Sequence, residues 1–254
     1  MLCPPPPPPS YPLPPYQTGL PRVKVEDLGD NWNALFQEAQ ALPEATEMER
    51  TYKHLLLATV YRDFTAAAVM YGRTIISEFF LHSYLRSIRP REVGGFAGGK
   101  KFLFRGILFK LADGAVGPWA GSDEAAAKAA GHELRGHSYY AHAGVAGLHF
   151  SPMCILDYKG FRMVCAAQLP LGAATLISGS SDGGINVVGV GDAEVARVLE
   201  EAAARLRLRP HPCRGTTVYS GADVEVHKGL DGNLYMLDLA RSMPPEDPKV
   251  RTST

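Results

Sequence analysis

The sequence predicts an α+β fold, in which N-terminal helices pack on a mostly antiparallel sheet built from hairpins. From about residue 30 to 90, apolar residues recur at the spacing of helix turns. From about residue 91 to 247, short runs that alternate between apolar and polar residues are separated by turn dipeptides, which is typical of strands. These strands follow one another as hairpins and not as β-α-β units, so antiparallel pairing is favoured.

The composition excludes several classes of protein. Of the 254 residues, 46% are hydrophobic, which is enough for a sizeable core. The formal net charge is zero, so contact with nucleic acid or an anionic membrane would have to come from a local patch. There is no run of 18 apolar residues, no signal-peptide pattern, and no C-x-x-C pair among the four cysteines. We therefore expect a cytoplasmic protein with buried free thiols at Cys154 and Cys165.

Both ends of the chain are predicted to lie outside the folded domain at residues 29–247. Residues 1–28 contain ten of the twenty prolines, and the run PPPPPPSYPLPPY favours an extended polyproline II conformation in a disordered tail. Such a tail can bind an SH3, WW or profilin-type partner, or serve only as a leader, and the sequence leaves both interpretations open. Residues 248–254 are predicted to form a second, polar tail.

The helical part, from about residue 30 to 90, is predicted to contain at least three helices. The first should end near Pro43, where the chain loses a backbone hydrogen-bond donor. The apolar pattern from Tyr52 to Leu85 is long for one uncapped helix. We therefore predict a break at Gly72 or near Arg62-Asp63.

The hairpin part begins after a glycine-rich stretch, GGFAGGKK. Two strands are predicted around Arg105-Gly106, and a second hairpin turns at Lys159-Gly160. Between them, Ser122 is a predicted N-cap of an alanine-rich helix, and Asp192 is the predicted N-cap of the last helix. Lys110 is a cation inside an otherwise apolar strand.

The most informative stretch is residues 222–247, which reads as a closing hairpin. DVEVHKG alternates with period two, Asp231-Gly232 supplies the turn, and LYMLDLA is the return strand. Asp238 lies within that apolar strand, where an unpaired carboxylate would be costly to bury. We predict that it is structural and is paired with a cation or with backbone amides, Arg241 being the nearest cation in sequence.

This closing stretch resembles the last motif of the Clu domain of the clustered mitochondria protein family. Four upstream segments resemble further parts of that domain in the same order, so that the resemblance spans roughly residues 30 to 247. Asn233 departs from the pattern, since the family usually has a basic residue there. The upstream segments are Asn31 to Gln37, Ala130 to Tyr140, Ile155 to Gln168 and Leu206 to His211. The residues of the closing motif that match are Gly229, Asp231, Gly232, Tyr235, Asp238, Arg241, Pro244 and Pro245.

The resemblance implies a non-enzymatic, cytosolic factor for the distribution and biogenesis of mitochondria, of a kind that binds messenger RNAs. An alternative is a module for protein–protein interaction. RNA would have to meet two basic runs, which form one groove only if the fold brings them to the same face. If it is extended, the second run presents its arginines on one side; ordinary solvated cations are the other interpretation. The first run is Arg86, Arg89, Arg91, Lys100, Lys101 and Arg105, and the second is Arg205, Arg207 and Arg209.

A different class of function, a kinase-like nucleotide-binding phosphotransferase, is the second alternative. Lys110 and Glu133 would hold phosphates, Asp231 would act as a base, and Asn233 with Asp238 would bind magnesium. The interval between Asn233 and Asp238 is short for such an enzyme, and the glycine-rich stretch has no phosphate-loop spacing. We therefore favour a structural hairpin and predict no catalytic residue and no cofactor.

The sequence also predicts no metal site. His132, His137 and His142 recur every five residues, a spacing that does not place them on one helix face. Each of them is expected to be solvated or bonded singly.

We expect that deletion of residues 1–28 leaves the melting temperature almost unchanged, because this segment offers no hydrophobic pattern for packing. Scanning calorimetry of the full and shortened chains tests this. A decrease of several degrees would show that the tail packs on the domain.

Overall fold

The computed structural model of this chain describes residues 31–91, 99–172 and 174–243. Over these residues the fold is α+β, with N-terminal helices and antiparallel sheets that include hairpins, which confirms the predicted class. The tails predicted at residues 1–28 and 248–254 lie outside the described residues, as do Pro244 and Pro245 of the closing motif.

The described elements comprise α-helices, three short 3-10 helices and β-strands. The α-helices are α1 (Trp32–Gln40), α2 (Glu47–Ser77), α3 (Asp123–Ala143) and α4 (Ala193–Arg205). The 3-10 helices are Ser83–Leu85, Gly117–Trp119 and Leu239–Arg241. The strands are β1 (Lys101–Phe104), β2 (Ile107–Leu111), β3 (Leu148–His149), β4 (Met153–Tyr158), β5 (Phe161–Ala167), β6 (Leu176–Ser178), β7 (His211–Cys213), β8 (Thr216–Val218), β9 (Glu225–Lys228) and β10 (Leu234–Leu237).

The starts of the helices follow local capping chemistry. The Ser122 hydroxyl accepts a hydrogen bond from the backbone of Ala125, and the Asp192 carboxylate accepts one from the backbone of Glu194, which confirms both predicted N-caps. Thr46 and Glu49 form a reciprocal capping box at the start of α2.

The predicted break in the long helical run is wrong, because α2 is one continuous helix of 31 residues. Its buried residues recur every three or four positions along one face and include Phe64, Ala68 and Gly72. A Cβ atom on Gly72 would lie 2.5 Å from the Leu156 side chain. Gly72 therefore permits close packing on the sheet and does not end the helix.

The first sheet has the strand order β1-β2-β5-β4 and is antiparallel throughout. Its two hairpins turn at Arg105-Gly106 and Lys159-Gly160, as predicted. Alternate residues of β2 divide between the two faces of the sheet. Ile107 and Phe109 are buried in the core with α2, whereas Lys110 lines a cleft on the other face.

The second sheet has the order β3-β10-β9-β6, and its β9–β10 pair is the predicted closing hairpin. Strand β3 pairs with β10 in parallel, and the other pairs are antiparallel. Tyr140 of α3, Val198 of α4 and Val226 of β9 belong to a second core on this sheet. Asp238 differs from its prediction, since it follows β10 in a left-handed backbone conformation with φ of 57°.

Helix α3 connects the two sheets. It contacts β4 and β5 of the first sheet and the Leu239–Arg241 helix that follows β10. The contact with that short helix is made at Gly136, where a Cβ atom would lie 2.9 Å from Leu239 Cβ and closer still to the Leu239 carbonyl oxygen. Gly136 therefore lets α3 approach the segment that carries Asp238.

We expect Gly136→Ala to lower the free energy of unfolding by about 1–3 kcal/mol, because the added methyl group meets backbone that has no room to move. Gly131→Ala in the same helix is the matched control, since its Cβ would meet only an Arg162 nitrogen at 3.6 Å. There the higher helix propensity of alanine should raise the stability by up to about 1 kcal/mol. Urea denaturation measures both variants, and equal effects would contradict the packing role of Gly136.

Candidate functional site

A lysine held by two carboxylates lies in the cleft between the two sheets. Lys110 Nζ is 2.9 Å from Glu133 Oε1 and 2.7 Å from Asp238 Oδ1. The three residues come from β2, from α3 and from the end of β10, so these ion pairs join the first sheet, the connecting helix and the second sheet. Their side chains are 22%, 13% and 29% exposed, respectively, which places them at the wall of an accessible cleft.

The charges of this cluster stabilise one another. Burial alone would disfavour the ammonium group, but the carboxylates of Asp238 and Glu133 outweigh it and raise the pKa of Lys110 above its usual value. Burial likewise opposes the charged form of Asp238, yet the charge and hydrogen bond of Lys110 lower the pKa of that carboxyl group. Burial and the neighbouring charge of Lys110 lower the pKa of Lys101. Near neutral pH, the Lys110–Asp238 pair is therefore ionised.

The prediction that Asp238 has a cationic partner is confirmed, but the partner is Lys110 and not Arg241. Arg241 instead donates from Nε to Asp223 Oδ2 at 2.7 Å. The reason is the left-handed conformation at Asp238, which ends the strand and turns the chain into the Leu239–Arg241 helix. Aspartate tolerates this conformation better than bulky residues do.

An apolar cavity of about 250 Å³ lies on one side of Lys110. Leu103, Leu108 and Ala166 line it from the first sheet, and Met236 and Leu237 line it from the end of β10. The segment of residues 168–171, which follows β5, borders the same cavity. The cavity is thus a space between two apolar surfaces, with the segment of residues 168–171 along one border.

A smaller cavity of about 90 Å³, with several charged residues in its lining, lies on the other side of the cluster. Asp113, Ser180 and Glu225 contribute to its lining, together with the three residues of the cluster. Both carboxylate oxygens of Asp113 are buried and have no hydrogen-bond partner among the described residues. Because an unsatisfied buried carboxylate is costly, Asp113 is a strong acceptor available to a donor or a cation in this cavity.

The structure brings together only three of the five residues of the phosphotransferase hypothesis. Lys110, Glu133 and Asp238 converge, but Asp231 and Asn233 precede β10 and lie at its opposite end, roughly 16 Å from Asp238 at the rise of a strand. The five residues therefore do not form one site, and this arrangement of the hypothesis is wrong.

Asp231 and Asn233 instead belong to a hydrogen-bond network at the turn. The Tyr235 hydroxyl donates to Asp231 Oδ2 at 2.7 Å, and Asn233 Nδ2 donates to the same oxygen at 3.1 Å. Asn33 Nδ2 of α1 donates to the Tyr235 hydroxyl at 2.8 Å. Two residues of the closing motif, Asp231 and Tyr235, thus stabilise the turn, and Tyr235 attaches it to α1.

No group of three or more metal-ligating side chains was found in the described part of the chain. Along α3, His132 is exposed, whereas His137 is buried and its Nε2 lies 2.9 Å from the Ser151 carbonyl oxygen. His142 Nδ1 lies 2.7 Å from the Ser138 carbonyl oxygen. His137 and His142 therefore contact backbone carbonyls of the protein itself.

The first basic run does not act as one surface. Lys101 is buried beside the Lys110 cluster, and Lys100 lies over the Phe79 ring at 4.2 Å. Arg105 is in the β1–β2 turn. Arg86, Arg89 and Arg91, together with Leu103 and Phe104, line a surface groove of about 450 Å³, which we call the arginine groove.

Within the arginine groove, the three arginines differ in their contacts. Arg86 is fixed by hydrogen bonds to the carbonyl oxygens of Phe79 and Leu81, at 2.7 and 2.9 Å. Arg89 and Arg91 are exposed, and neither side chain makes a hydrogen bond or ion pair to the rest of the described chain. Both remain available to an external anion.

The second basic run is not extended, so the prediction that its arginines share one face is wrong. Helix α4 continues to Arg205, whose guanidinium group donates to the Ala143 and Gly144 carbonyl oxygens at the end of α3. Arg207 has a left-handed backbone with φ of 56°, and the next strand begins only at His211. The helical pattern of α4 outweighs the alternation of RLRLR, and Arg209 is an exposed residue of the connecting loop.

The sequence that forms this α+β fold and its closing hairpin is that of a Clu domain. The sequence model of the Clustered mitochondria family matches residues 31–247, and the chain belongs to this family. The resemblance predicted from the sequence is therefore confirmed.

Relatives of the chain are named clustered mitochondria protein homolog or clueless. A clustered mitochondria protein homolog of Neurospora crassa is 27% identical over 234 residues, which is 87% of this chain and 17% of the relative. A homolog of the same name in Anopheles gambiae is 26% identical, and the protein clueless of Drosophila virilis is 28% identical; each alignment covers 85% of this chain and 15% of the relative. The chain thus spans about a sixth of the length of these curated relatives. No solved structure matches the chain.

None of the helices in the described ranges has the length and apolar character needed to cross a bilayer. The lining of the cleft was missed by sequence reasoning, with the exception of the charged cluster. The alternation in β2 could have revealed part of this lining. Leu108 and Lys110 alternate with the core residues of β2 and therefore share its other face.

We expect Asp238→Asn to lower the free energy of unfolding at pH 7 by about 1–3 kcal/mol, because it removes a partner of a half-buried ammonium group. The folded pKa of Asp238 lies below its usual value, so its contribution to stability is present above about pH 4 and is lost as the pH falls through the lowered pKa. The variant should therefore lose less stability on acidification than the parent chain. Urea denaturation at pH 7 and at pH 3 measures both effects.

The matched control for this substitution is Asp157→Asn, since Asp157 pairs with Arg162 on the surface at 2.7 Å. Exposed pairs of this kind contribute about 1 kcal/mol or less. A stability of Asp238→Asn equal to that of the parent chain at pH 7 would show that the Lys110–Asp238 pair is not structural.

Proposed function

We propose that this chain is a non-enzymatic Clu-domain protein that serves the distribution and biogenesis of mitochondria in the cytoplasm by binding messenger RNA. The observation that carries the proposal is the match of the Clustered mitochondria family over residues 31–247. The relatives are named for clustered mitochondria or as clueless, and the aligned part is about a sixth of each of them. The proposal therefore assigns RNA binding to the Clu domain, as one part of the mitochondrial role that these names indicate.

The arginine groove is the surface that supports RNA binding best. A guanidinium group forms bidentate hydrogen bonds with phosphate, and Arg89 and Arg91 are exposed without partners in the described chain. Arg86 is already held in one orientation, so its contribution would cost little further side-chain entropy. Such a groove reads the phosphate backbone and not the bases, so we expect weak binding that decreases steeply with salt.

The absence of an enzymatic activity is part of the proposal. Phosphoryl transfer requires a group that orients the nucleophile beside the reacting phosphate. Asp231 was the residue predicted for this role, and it lies at the far end of β10 from Lys110 and Asp238. This geometry favours a binding function.

A role in protein–protein interaction is the second candidate, and one surface feature favours it. Large apolar side chains are exposed after the end of α2, including Phe80 and Tyr84, which are 83% and 69% exposed. Leu81 and Leu85 are also exposed in this segment. Several large apolar side chains exposed within one short segment favour a contact with another protein.

We expect the double variant Arg89→Glu, Arg91→Glu to reduce the affinity for RNA about tenfold, which corresponds to about 1.4 kcal/mol. The reason is that two positive charges of the arginine groove become negative at the phosphate backbone. Ultraviolet crosslinking of the purified chain to cellular RNA, followed by filter binding of the recovered RNA at two salt concentrations, measures the change.

The matched control is Arg207→Glu, Arg209→Glu, which changes the net charge equally but outside the arginine groove. The control should retain the RNA recovery of the parent chain. If the parent chain recovers no RNA, or if both double variants behave alike, the RNA proposal fails and the protein-interaction role is favoured.

A further inference from the structure

We propose that the cleft between the two sheets binds a nucleotide as its complex with a divalent cation, with the base in the apolar cavity and the phosphates beside Lys110. This inference is independent of the RNA proposal, since Arg89 and Arg91 do not line the cleft. It rests on three features of the cleft: the ion-paired Lys110, the buried carboxylate of Asp113 that has no partner among the described residues, and the shape of the apolar cavity.

The ion-paired Lys110 marks the end of the cleft at which the phosphates would bind. A lysine on a strand that is paired with a glutamate on the adjacent helix is an arrangement that positions nucleotide phosphates, and a nearby aspartate then holds the metal ion. Lys110, Glu133 and Asp238 have this arrangement, with both N–O distances under 3 Å. The two carboxylates keep the ammonium group charged and restrict its position, so a phosphate oxygen would meet a fixed cation.

The charge of the smaller cavity indicates why a divalent cation must accompany the phosphates. The lining has an excess of acid, with five carboxylates against two cations, so an uncompensated phosphate would be repelled. Magnesium is commonly bound through one or two carboxylates together with the phosphates of its ligand, which agrees with the lack of a complete protein metal site in the described chain. The carboxylates are Asp113, Glu133, Asp223, Glu225 and Asp238, and the cations are Lys110 and Arg241.

Asp113 is an independent indication of a ligand at this end of the cleft. Its two oxygens are buried and have no hydrogen-bond partner among the described residues, and Asp113 is one of the residues that line the smaller cavity. A cation or a water molecule of its coordination sphere would satisfy them. Asp238 lies in the same cavity and supplies a second carboxylate for that cation.

The apolar cavity has the shape and chemistry that a base requires. At about 250 Å³ it is large enough for a planar heterocycle and too small for a lipid chain of ordinary length with its headgroup. Leu108 and Ala166 lie on one side and Met236 on the other, so a flat ring would contact apolar surface on both faces.

The border of the apolar cavity can supply hydrogen bonds to the ring. Residues 168–171 follow β5 at this border, where the Leu169 N–H and the Gln168 carbonyl oxygen make no hydrogen bond in the described chain and can pair with the edge of a base. The segment is anchored at both ends, since Gln168 N donates to the Gly106 carbonyl oxygen and Leu230 N donates to the Pro170 carbonyl oxygen. A fixed border of this kind favours selection of the base by shape and hydrogen bonding.

Calorimetric titration of the purified, RNA-free chain with ATP tests the proposal directly, with magnesium chloride in one arm and EDTA in the other. We expect saturable binding with one site, at least tenfold weaker when EDTA replaces magnesium. Inorganic triphosphate with magnesium should bind more weakly than ATP, because it leaves the apolar cavity unfilled. GTP in a further titration reports the choice of base.

Two variants act on the two ends of the cleft separately. Lys110→Met should weaken ATP binding at least tenfold by removing the phosphate-binding cation. Ala166→Phe should do the same by filling the apolar cavity while the Lys110 cluster stays intact, so the test does not depend on one variant that fails to fold. Lys228→Met and Ala204→Phe make the same changes at exposed positions and should leave the affinity unchanged. Circular dichroism checks the fold of each variant.

The proposal is overturned if ATP and ADP give no binding heat at millimolar concentration, or if ATP binds with the same affinity to the parent chain and to folded Ala166→Phe. Equal affinities for inorganic triphosphate and ATP would overturn the assignment of the apolar cavity to a base. Binding that is indifferent to EDTA would overturn the role given to Asp113 and Asp238.

Discussion

The ion pairs of Lys110 are the interaction on which the arrangement of this Clu domain depends. A lysine in an apolar strand is costly to desolvate, and here the cost is offset by carboxylates from two other elements. Each carboxylate needs its own backbone geometry: α3 must approach the end of β10, which Gly136 permits, and Asp238 must leave the strand in a left-handed conformation. The sheets, the connecting helix and the closing hairpin are therefore constrained together.

The same ion pairs shape the cleft. They join the first sheet to the end of β10 at one point, with an apolar cavity on one side and a smaller cavity lined by several carboxylates on the other. A structural role and a ligand-binding role for Lys110 are thus compatible, because its ammonium group is fixed and still partly exposed. RNA contact, in contrast, is proposed for Arg89 and Arg91. These two arginines line the arginine groove and do not line the cleft.

The sequence predicted correctly those features that depend on residues close to one another in the chain, such as helix caps. Ser122 and Asp192 cap helices because their side chains reach backbone groups two or three residues later. The partner of Asp238 could not be found in this way, because Lys110 is 128 residues distant in sequence and meets it only through the fold. Gly72 was misread for a similar reason, since the packing against Leu156 that explains it is tertiary. Alternating arginines near Arg207 suggested a strand, although the helix before them persists.

A double-mutant cycle between Lys110 and Asp238 tests the central claim most directly. The free energy of unfolding is measured by urea denaturation for the parent chain, for Lys110→Met, for Asp238→Asn and for the double variant. The account predicts a coupling energy of about 1–3 kcal/mol, because Lys110→Met leaves the Asp238 carboxylate without this cation, and Asp238→Asn leaves Lys110 with Glu133 as its one remaining carboxylate partner among the described residues. Effects that add to within about 0.5 kcal/mol would contradict it, since additivity is the behaviour of residues that do not interact.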